Sequence, residues 1–202
     1  MKPEEIGRSY DQIAARWNDS SFDRQNGIEA HRKALSYVNE SCWTLDVGCG
    51  CNGRFFELFK SQGFQVEGID VSEEMVRLAR RQHPDINIHQ ADISTWALPR
   101  KYGLISAWDS IWHVPLAQQE AVLAKLCEGL SPNGVFILTI GGLDEPAEEE
   151  NSHMGVTIAY STLGIEGTKK VLEENGCICR HQEFDQAPEK HFYLIVQKQT
   201  AC

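Results

Sequence analysis

Long apolar runs are missing from this 202-residue chain, and nothing in it approaches the ~20 residues that cross a bilayer. The opening Met1-Lys2-Pro3-Glu4-Glu5 has no signal-peptide core. Together these absences fit a cytoplasmic protein with no membrane partner. Positive charge is also scarce: 19 Lys and Arg stand against 29 Asp and Glu, a net charge of −10, with no basic stripe. DNA and RNA binding needs such a stripe, so nucleic acid is excluded as a partner. Zinc-type cysteine spacing is absent too. Cys49-x-Cys51 and Cys177-x-Cys179 have one intervening residue each, not the usual two to four or so. Seven cysteines without a secretory signal read as reduced thiols rather than a metal site, with Cys202 incidental at the end. What remains is ordinary for a globular protein: 42% hydrophobic and 24% charged, long enough for one buried core.

The most informative segment is Leu45-Asp46-Val47-Gly48-Cys49-Gly50-Cys51-Asn52-Gly53. Apolar residues that break into clustered glycines read as a strand ending in a tight loop. Glycine permits close approach of backbone to ligand. A helix is expected over 54–62, with Phe55, Leu58 and Phe59 on one face. A strand, glycine loop and helix N-terminus form a common nucleotide-cofactor site. Gly48-x-Gly50-x-x-Gly53 also satisfies the dinucleotide fingerprint. Asp46, two residues before the first glycine, disfavours a pyrophosphate and suits a cofactor with a cationic group. Asp70 ends the next strand, where an acid can accept both hydrogen bonds of a ribose diol.

Leu45-Asp46-Val47-Gly48-Cys49-Gly50 resembles the first motif of class I S-adenosylmethionine-dependent methyltransferases. Val66-Glu67-Gly68-Ile69-Asp70-Val71-Ser72 resembles that family's second strand with its ribose-binding acid. Ala91-Asp92-Ile93 resembles its adenine-bracketing segment, and Leu130-Ser131-Pro132-Asn133-Gly134-Val135 the turn into its fifth strand. The four matches are collinear over 45–139. One departure is Asn52, which stands where the family often has a third glycine; asparagine tolerates left-handed backbone. The resemblance implies a cofactor site at Asp46, Gly48, Cys49, Gly50, Asn52, Asp70, Val71, Met75, Asp92, Ile93 and Trp108, with Tyr10 closing over it.

Along the chain, helices are expected at 3–17 and 23–39, forming an N-terminal cap over 1–41. Tyr10 and Trp17 either close over the cofactor or pack this helix onto the body. Strands near 43–47, 65–69, 86–89, 103–108 and 134–140 alternate with helices at 54–62, 73–82 and 116–130. That alternation implies a doubly wound, Rossmann-like parallel sheet across a core at 42–140. Residues 141–163 read as a lid-like acidic loop. The segment 164–202 holds a helix, then two strands whose short connection permits only a hairpin. The resemblance makes these the last two of seven strands, with the C-terminal strand antiparallel. The whole reads as one domain.

Methyl transfer from a sulfonium requires alignment and exclusion of water, and a base only where the acceptor must lose a proton. The fourth strand ends in Trp108-Asp109-Ser110-Ile111-Trp112-His113, which the fold turns toward the cofactor's reactive half. His113 is the expected base, because imidazole titrates near neutrality. Asp109 is expected to bind the cofactor's ammonium or orient the acceptor. Tyr160 and His191 are further candidates at the mouth. The leading reading is S-adenosylmethionine-dependent methylation of a small molecule. An NAD(P)-dependent oxidoreductase and a non-catalytic S-adenosylmethionine-binding protein are the alternatives. Oligomeric state leaves no mark in the sequence.

Overall fold

The computed structural model describes residues 1–19, 22–40, 42–152 and 154–200; Cys202 lies outside them. In chain order the elements are α1 (Pro3–Trp17), α2 (Ile28–Leu35), β1 (Trp43–Val47), α3 (Phe56–Ser61), β2 (Gln65–Asp70), α4 (Glu73–Gln82), β3 (Asn87–Gln90) and β4 (Tyr102–Ala107). A 3-10 turn at Ile111–His113 leads into α5 (Leu116–Gly129) and β5 (Leu130–Gly141). β6 (Ala147–Asn151), β7 (Ile158–Thr162), α6 (Ile165–Glu174), β8 (Cys177–Phe184) and β9 (His191–Lys198) follow.

Seven strands form one sheet in the order β3-β2-β1-β4-β5-β9-β8. The first five run parallel, and β9 is antiparallel to both β5 and β8. The seven-stranded, mostly parallel sheet expected from the sequence is therefore the one observed. Strand alternation sends neighbouring residues to opposite faces. Phe136 and Leu138 pack with Val122 and Leu126 of α5 and Leu172 of α6. Val135 and Ile137 pack with Ala34 of α2, Phe56 and Phe59 of α3 and Val76 of α4. Burial on both faces explains why the central strands read as continuous apolar runs.

Residues 141–163 differ from expectation. β6 and β7 pair antiparallel as a separate two-stranded sheet, with Glu149 opposite Tyr160. The segment is therefore a β-ribbon rather than an irregular loop. α2 is also shorter than expected, beginning only after the left-handed Gly27. β5 begins earlier, and Asn133 bends it at φ 62. Asn52 does not use the left-handed backbone that its side chain tolerates; Gly53 does, at φ 52.

α1 lies across the carboxyl ends of the strands. Pro3 opens it and Glu4 and Glu5 occupy its first turn, both favoured at a helix N-terminus. Ile6 and Ile13 pack on Ile158 and Ala159 of β7, while Ala14 packs on Cys51 and Met75. Each fully buried isoleucine contributes about 1.5–3 kcal/mol. At Gly7 the contact is so close that a Cβ would stand 3.0 Å from the Val71 carbonyl oxygen.

Candidate active site

β1 and β4 are neighbours, and the strand order reverses between them, so a crevice opens at their carboxyl ends. The glycine loop forms its floor. The Gly48 and Cys49 N–H groups donate to the Ile69 carbonyl at 2.7 and 3.1 Å, turning the chain away from β1. Gly48 is left-handed at φ +73, and a Cβ there would stand 2.3 Å from Ser110 Cβ. Gly50 is left-handed at φ +63, but a Cβ there meets nothing within 4 Å and would enter open space. Asp70 braces this loop: its Oδ2 accepts from Gly50 N–H and its Oδ1 from Ser72 N–H, both at 2.9 Å. Burial pushes its carboxyl up to about 6, against the opposing effect of those N–H groups.

The cleft brings together nearly all the residues expected at a cofactor site. Gly48, Cys49, Gly50, Asn52, Asp70, Val71 and Met75 line it, as do Asp92, Ile93, Trp108 and the cap residue Tyr10. Asp92 accepts from Ser94 N–H at 2.8 Å, which fixes the turn carrying Ile93. Asn52 donates to the Trp17 carbonyl at 2.9 Å and so ties the loop to the end of α1.

Asp46 is the exception and does not line the cleft. It is buried within β1, paired in register with Ser106 of β4. His31 explains its state. His31 Nδ1 bonds the Gly27 carbonyl at 2.7 Å, which can only accept, so Nε2 must accept the Ser106 hydroxyl proton at 3.0 Å. Ser106 has no second proton for Asp46 and can only accept from it. Burial pushes the Asp46 carboxyl up to about 7, which suits a protonated donor.

His113 lines the cleft, but its lone pair is occupied. Nδ1 lies 2.8 Å from the Ala159 carbonyl and must donate to it. Nε2 accepts from the Trp112 indole N–H at 3.0 Å and from the Tyr10 hydroxyl at 2.7 Å. Burial lowers the ring to about 4 and raises the Tyr10 phenol well above its ordinary value. A neutral imidazole with both nitrogens engaged is poorly placed to take a proton from an acceptor. The Tyr160 ring lies tilted beside it, 4.9 Å between centroids, and also lines the cleft.

Asp109 lines the cleft as well, whereas His191 stands behind it. Asp109 Oδ1 accepts from His191 Nε2 at 2.8 Å, and Oδ2 lies 3.4 Å from Arg54 Nη2. His191 Nδ1 meets Asp185 Oδ1 at 2.5 Å. Arg54 and Asp185 escaped the sequence reading; the one available signal was a lone arginine directly after the glycine loop. A second cavity, walled by Trp112, Tyr160, Glu149 and His191, adjoins the first.

Two orphaned polar atoms test whether a cofactor with an amino-acid end suits this cleft. Ser110 Oγ and Arg54 Nε are buried without a hydrogen-bond partner, and both residues line the cleft. Such atoms cost about 1–3 kcal/mol each unless a ligand satisfies them. With the open face at Gly50 and the carboxylates of Asp70 and Asp109, the donor set fits S-adenosylmethionine. Among the described residues, no cluster of three or more His, Cys, Asp or Glu could hold a metal ion.

Comparison with known proteins agrees with this geometry. Residues 44–134 match the methyltransferase domain family. A dTDP-3-amino-3,4,6-trideoxy-alpha-D-glucopyranose N,N-dimethyltransferase of Streptomyces venezuelae is 32% identical over 51% of this chain and 44% of its own length. A ubiquinone biosynthesis O-methyltransferase of Idiomarina loihiensis is 28% identical over 69% of this chain and 61% of its own. The solved 1,6-didemethyltoxoflavin-N1-methyltransferase of Burkholderia thailandensis superposes with a TM-score of 0.74 at 17% identity, covering 99% of this chain and 92% of that one. Residues 44–134 therefore carry a methyltransferase domain, and solved structures of the same fold are S-adenosylmethionine-dependent methyltransferases. S-adenosylmethionine is the cofactor of that family. The chain spans under half the length of the aminosugar methyltransferases that it matches, 44% and 47%. Neither the oxidoreductase nor the non-catalytic alternative gains support from these matches. Among the described residues, no helix is long and apolar enough to cross a membrane.

Proposed function

We propose that this protein transfers the methyl group of S-adenosylmethionine to a small-molecule acceptor by in-line displacement. The observation that carries this reading is the roofed cleft: α1 and the β6–β7 ribbon cover the glycine loop, so Tyr10, Met154 and Tyr160 line it beside Gly50 and Asp70. A site so enclosed favours a small acceptor, and the net charge of −10 disfavours a polyanionic one. When bound, the cofactor supplies an activated methyl group and leaves as a neutral thioether.

In this reading the protein aligns the reactants and excludes water. Asp70 accepts from the ribose hydroxyls, and Asp92 and Ile93 bracket the adenine. Gly48, Cys49, Gly50, Asn52, Val71, Met75 and Trp108 form the walls. Arg54 and Ser110 satisfy their orphaned atoms on the amino-acid end. The acceptor enters past Trp112 and Tyr160 from the adjoining cavity. His113 holds Tyr10 and the roof in place, and alignment supplies most of the acceleration.

Calorimetry with S-adenosylmethionine and S-adenosylhomocysteine tests the binding half of this reading. Release of S-adenosylhomocysteine across a panel of small amines, thiols, phenols and carboxylates tests the transfer half. Failure to bind either nucleoside, with enhanced fluorescence of added NADH, would sink the proposal.

A further inference from the structure

His191 is 6% exposed at the start of β9, and both its ring nitrogens face carboxylate oxygens. Ionised carboxylates only accept, so both nitrogens donate and the ring is an imidazolium. Burial alone would push this histidine down, and Asp109 and Asp185 more than reverse that, raising it above its ordinary value. Arg54 stands on the other oxygen of Asp109, and its Nη1 donates to the Asn26 carbonyl at 3.1 Å. The result is a row of alternating charge: Asp185, His191, Asp109, Arg54. Only the last two line the cleft.

Asp109 is held unusually firmly for a cleft carboxylate. Its backbone is left-handed at φ 54, a conformation sparsely populated outside glycine. Its N–H donates to Thr139 Oγ1 at 2.8 Å. A partly buried cleft carboxylate beside a guanidinium matches the two charges of an α-amino-acid end, ammonium on Asp109 and carboxylate on Arg54. The 3.4 Å gap between them is long for an ion pair that could otherwise close on itself. His191, gripping Oδ1 from behind, keeps Asp109 from swinging onto Arg54 and filling that gap.

We propose that Asp185 and His191 are positioning residues that hold the Asp109 carboxylate open to the α-ammonium of the cofactor's amino-acid end. This rests on the reading of the cleft as an S-adenosylmethionine site. Two probes separate positioning from mere structure: S-adenosylhomocysteine, and 5′-methylthioadenosine, which keeps the nucleoside but lacks the amino-acid end. By calorimetry, Asp185→Ala and His191→Ala should weaken S-adenosylhomocysteine about 5–30-fold, the equivalent of one or two kcal/mol. Affinity for 5′-methylthioadenosine should not change. His191→Gln, whose amide can still donate to Asp109, should recover part of the loss. Asp185 lies in the turn between β8 and β9, so its variant tests the idea even if His191→Ala fails to fold.

Equal weakening of both probes would mean a structural role only, and unchanged S-adenosylhomocysteine affinity would remove the pair from recognition; either result overturns the proposal. Asp109→Asn should show the same selective loss. If it binds S-adenosylhomocysteine as wild type does, the ammonium lies elsewhere and the proposal fails while the cofactor reading stands. If the wild-type protein binds neither probe, the cofactor reading itself has failed.

Discussion

The Tyr10 hydroxyl donates to His113 Nε2 over 2.7 Å, joining the N-terminal helix to the turn after β4 across 103 residues of sequence. The same nitrogen accepts from Trp112, and the opposite one donates to β7. One ring therefore ties together three parts of the wall. Tyr10→Phe removes one of these bonds and should cost about 0.5–1.5 kcal/mol of stability. In His113→Ala, melting temperature and cofactor affinity should fall together. A variant that kept both but lost turnover by about 10²–10⁴-fold would restore His113 as a general base.

Gly48 and Gly50 should fail differently. In Gly48→Ala the new methyl group meets Ser110 Cβ at 2.3 Å and adds left-handed strain, so both folding stability and binding should drop. In Gly50→Ala the methyl group enters open cleft, and the folded protein bears only the left-handed cost of about 1–2 kcal/mol. Thermal melts paired with calorimetry would show it: the larger stability loss in Gly48→Ala, and in Gly50→Ala a loss of S-adenosylmethionine binding greater than its melt accounts for.

Asp70→Ala should do more than delete a ribose contact. Its carboxylate also accepts from Gly50 and Ser72, so the glycine loop loses its brace. Removing a charged hydrogen-bond partner costs about 1.5–3 kcal/mol, and cofactor affinity should fall by at least that equivalent. Unchanged affinity by calorimetry would refute the assignment.

Affinity for S-adenosylmethionine should rise with pH between about 5 and 7. Asp70, at about 6, is protonated at the acid end of that window. Its ionised form is the stronger acceptor for ribose hydroxyls. S-adenosylhomocysteine presents the same ribose, so its affinity should follow the same profile. For folding the sign is opposite: Asp70 and Asp46 are both raised above their unfolded values, so stability is lost as pH climbs from the ordinary carboxylate range through about 6 and 7. Two flat affinity profiles would contradict this assignment.

Gly48, Gly50 and Asp70 were legible in the sequence because they sit at the ends of strands whose apolar patterning marks them, and Asp92 through the family resemblance of Ala91-Asp92-Ile93. Spacing along one strand and loop fixes where such residues lie. The β6 strand was not legible: Ala147-Glu148-Glu149-Glu150-Asn151 has none of the β-branched or aromatic residues that favour strands. It is extended because β7 pairs with it. Asp46 was read as a cofactor contact because its place before the glycines was visible, while its burial beside Ser106 was not. His113 was read as a base because imidazole chemistry is local, whereas the donors that occupy its lone pair include one from the far end of the chain. The Asp185–His191–Asp109 row joins residues 82 positions apart and has no periodicity to announce it.

The close seating of α1 has a kinetic side. Gly7 leaves no room for a side chain against Val71, Ser9 donates to the Thr157 carbonyl at 2.7 Å, and Asp11 accepts from Ser72 at 2.6 Å and Glu74 N–H at 3.0 Å. Release of a spent nucleoside from beneath this helix is predicted to require these bonds and the Tyr10 link to part together. Its residence time is then predicted to follow the opening rate of the helix rather than the strength of its own contacts, as when lid opening limits turnover. Variants that loosen α1 without touching the cleft floor, such as Ser9→Ala, would then turn over faster at saturating substrate even as they bind less tightly.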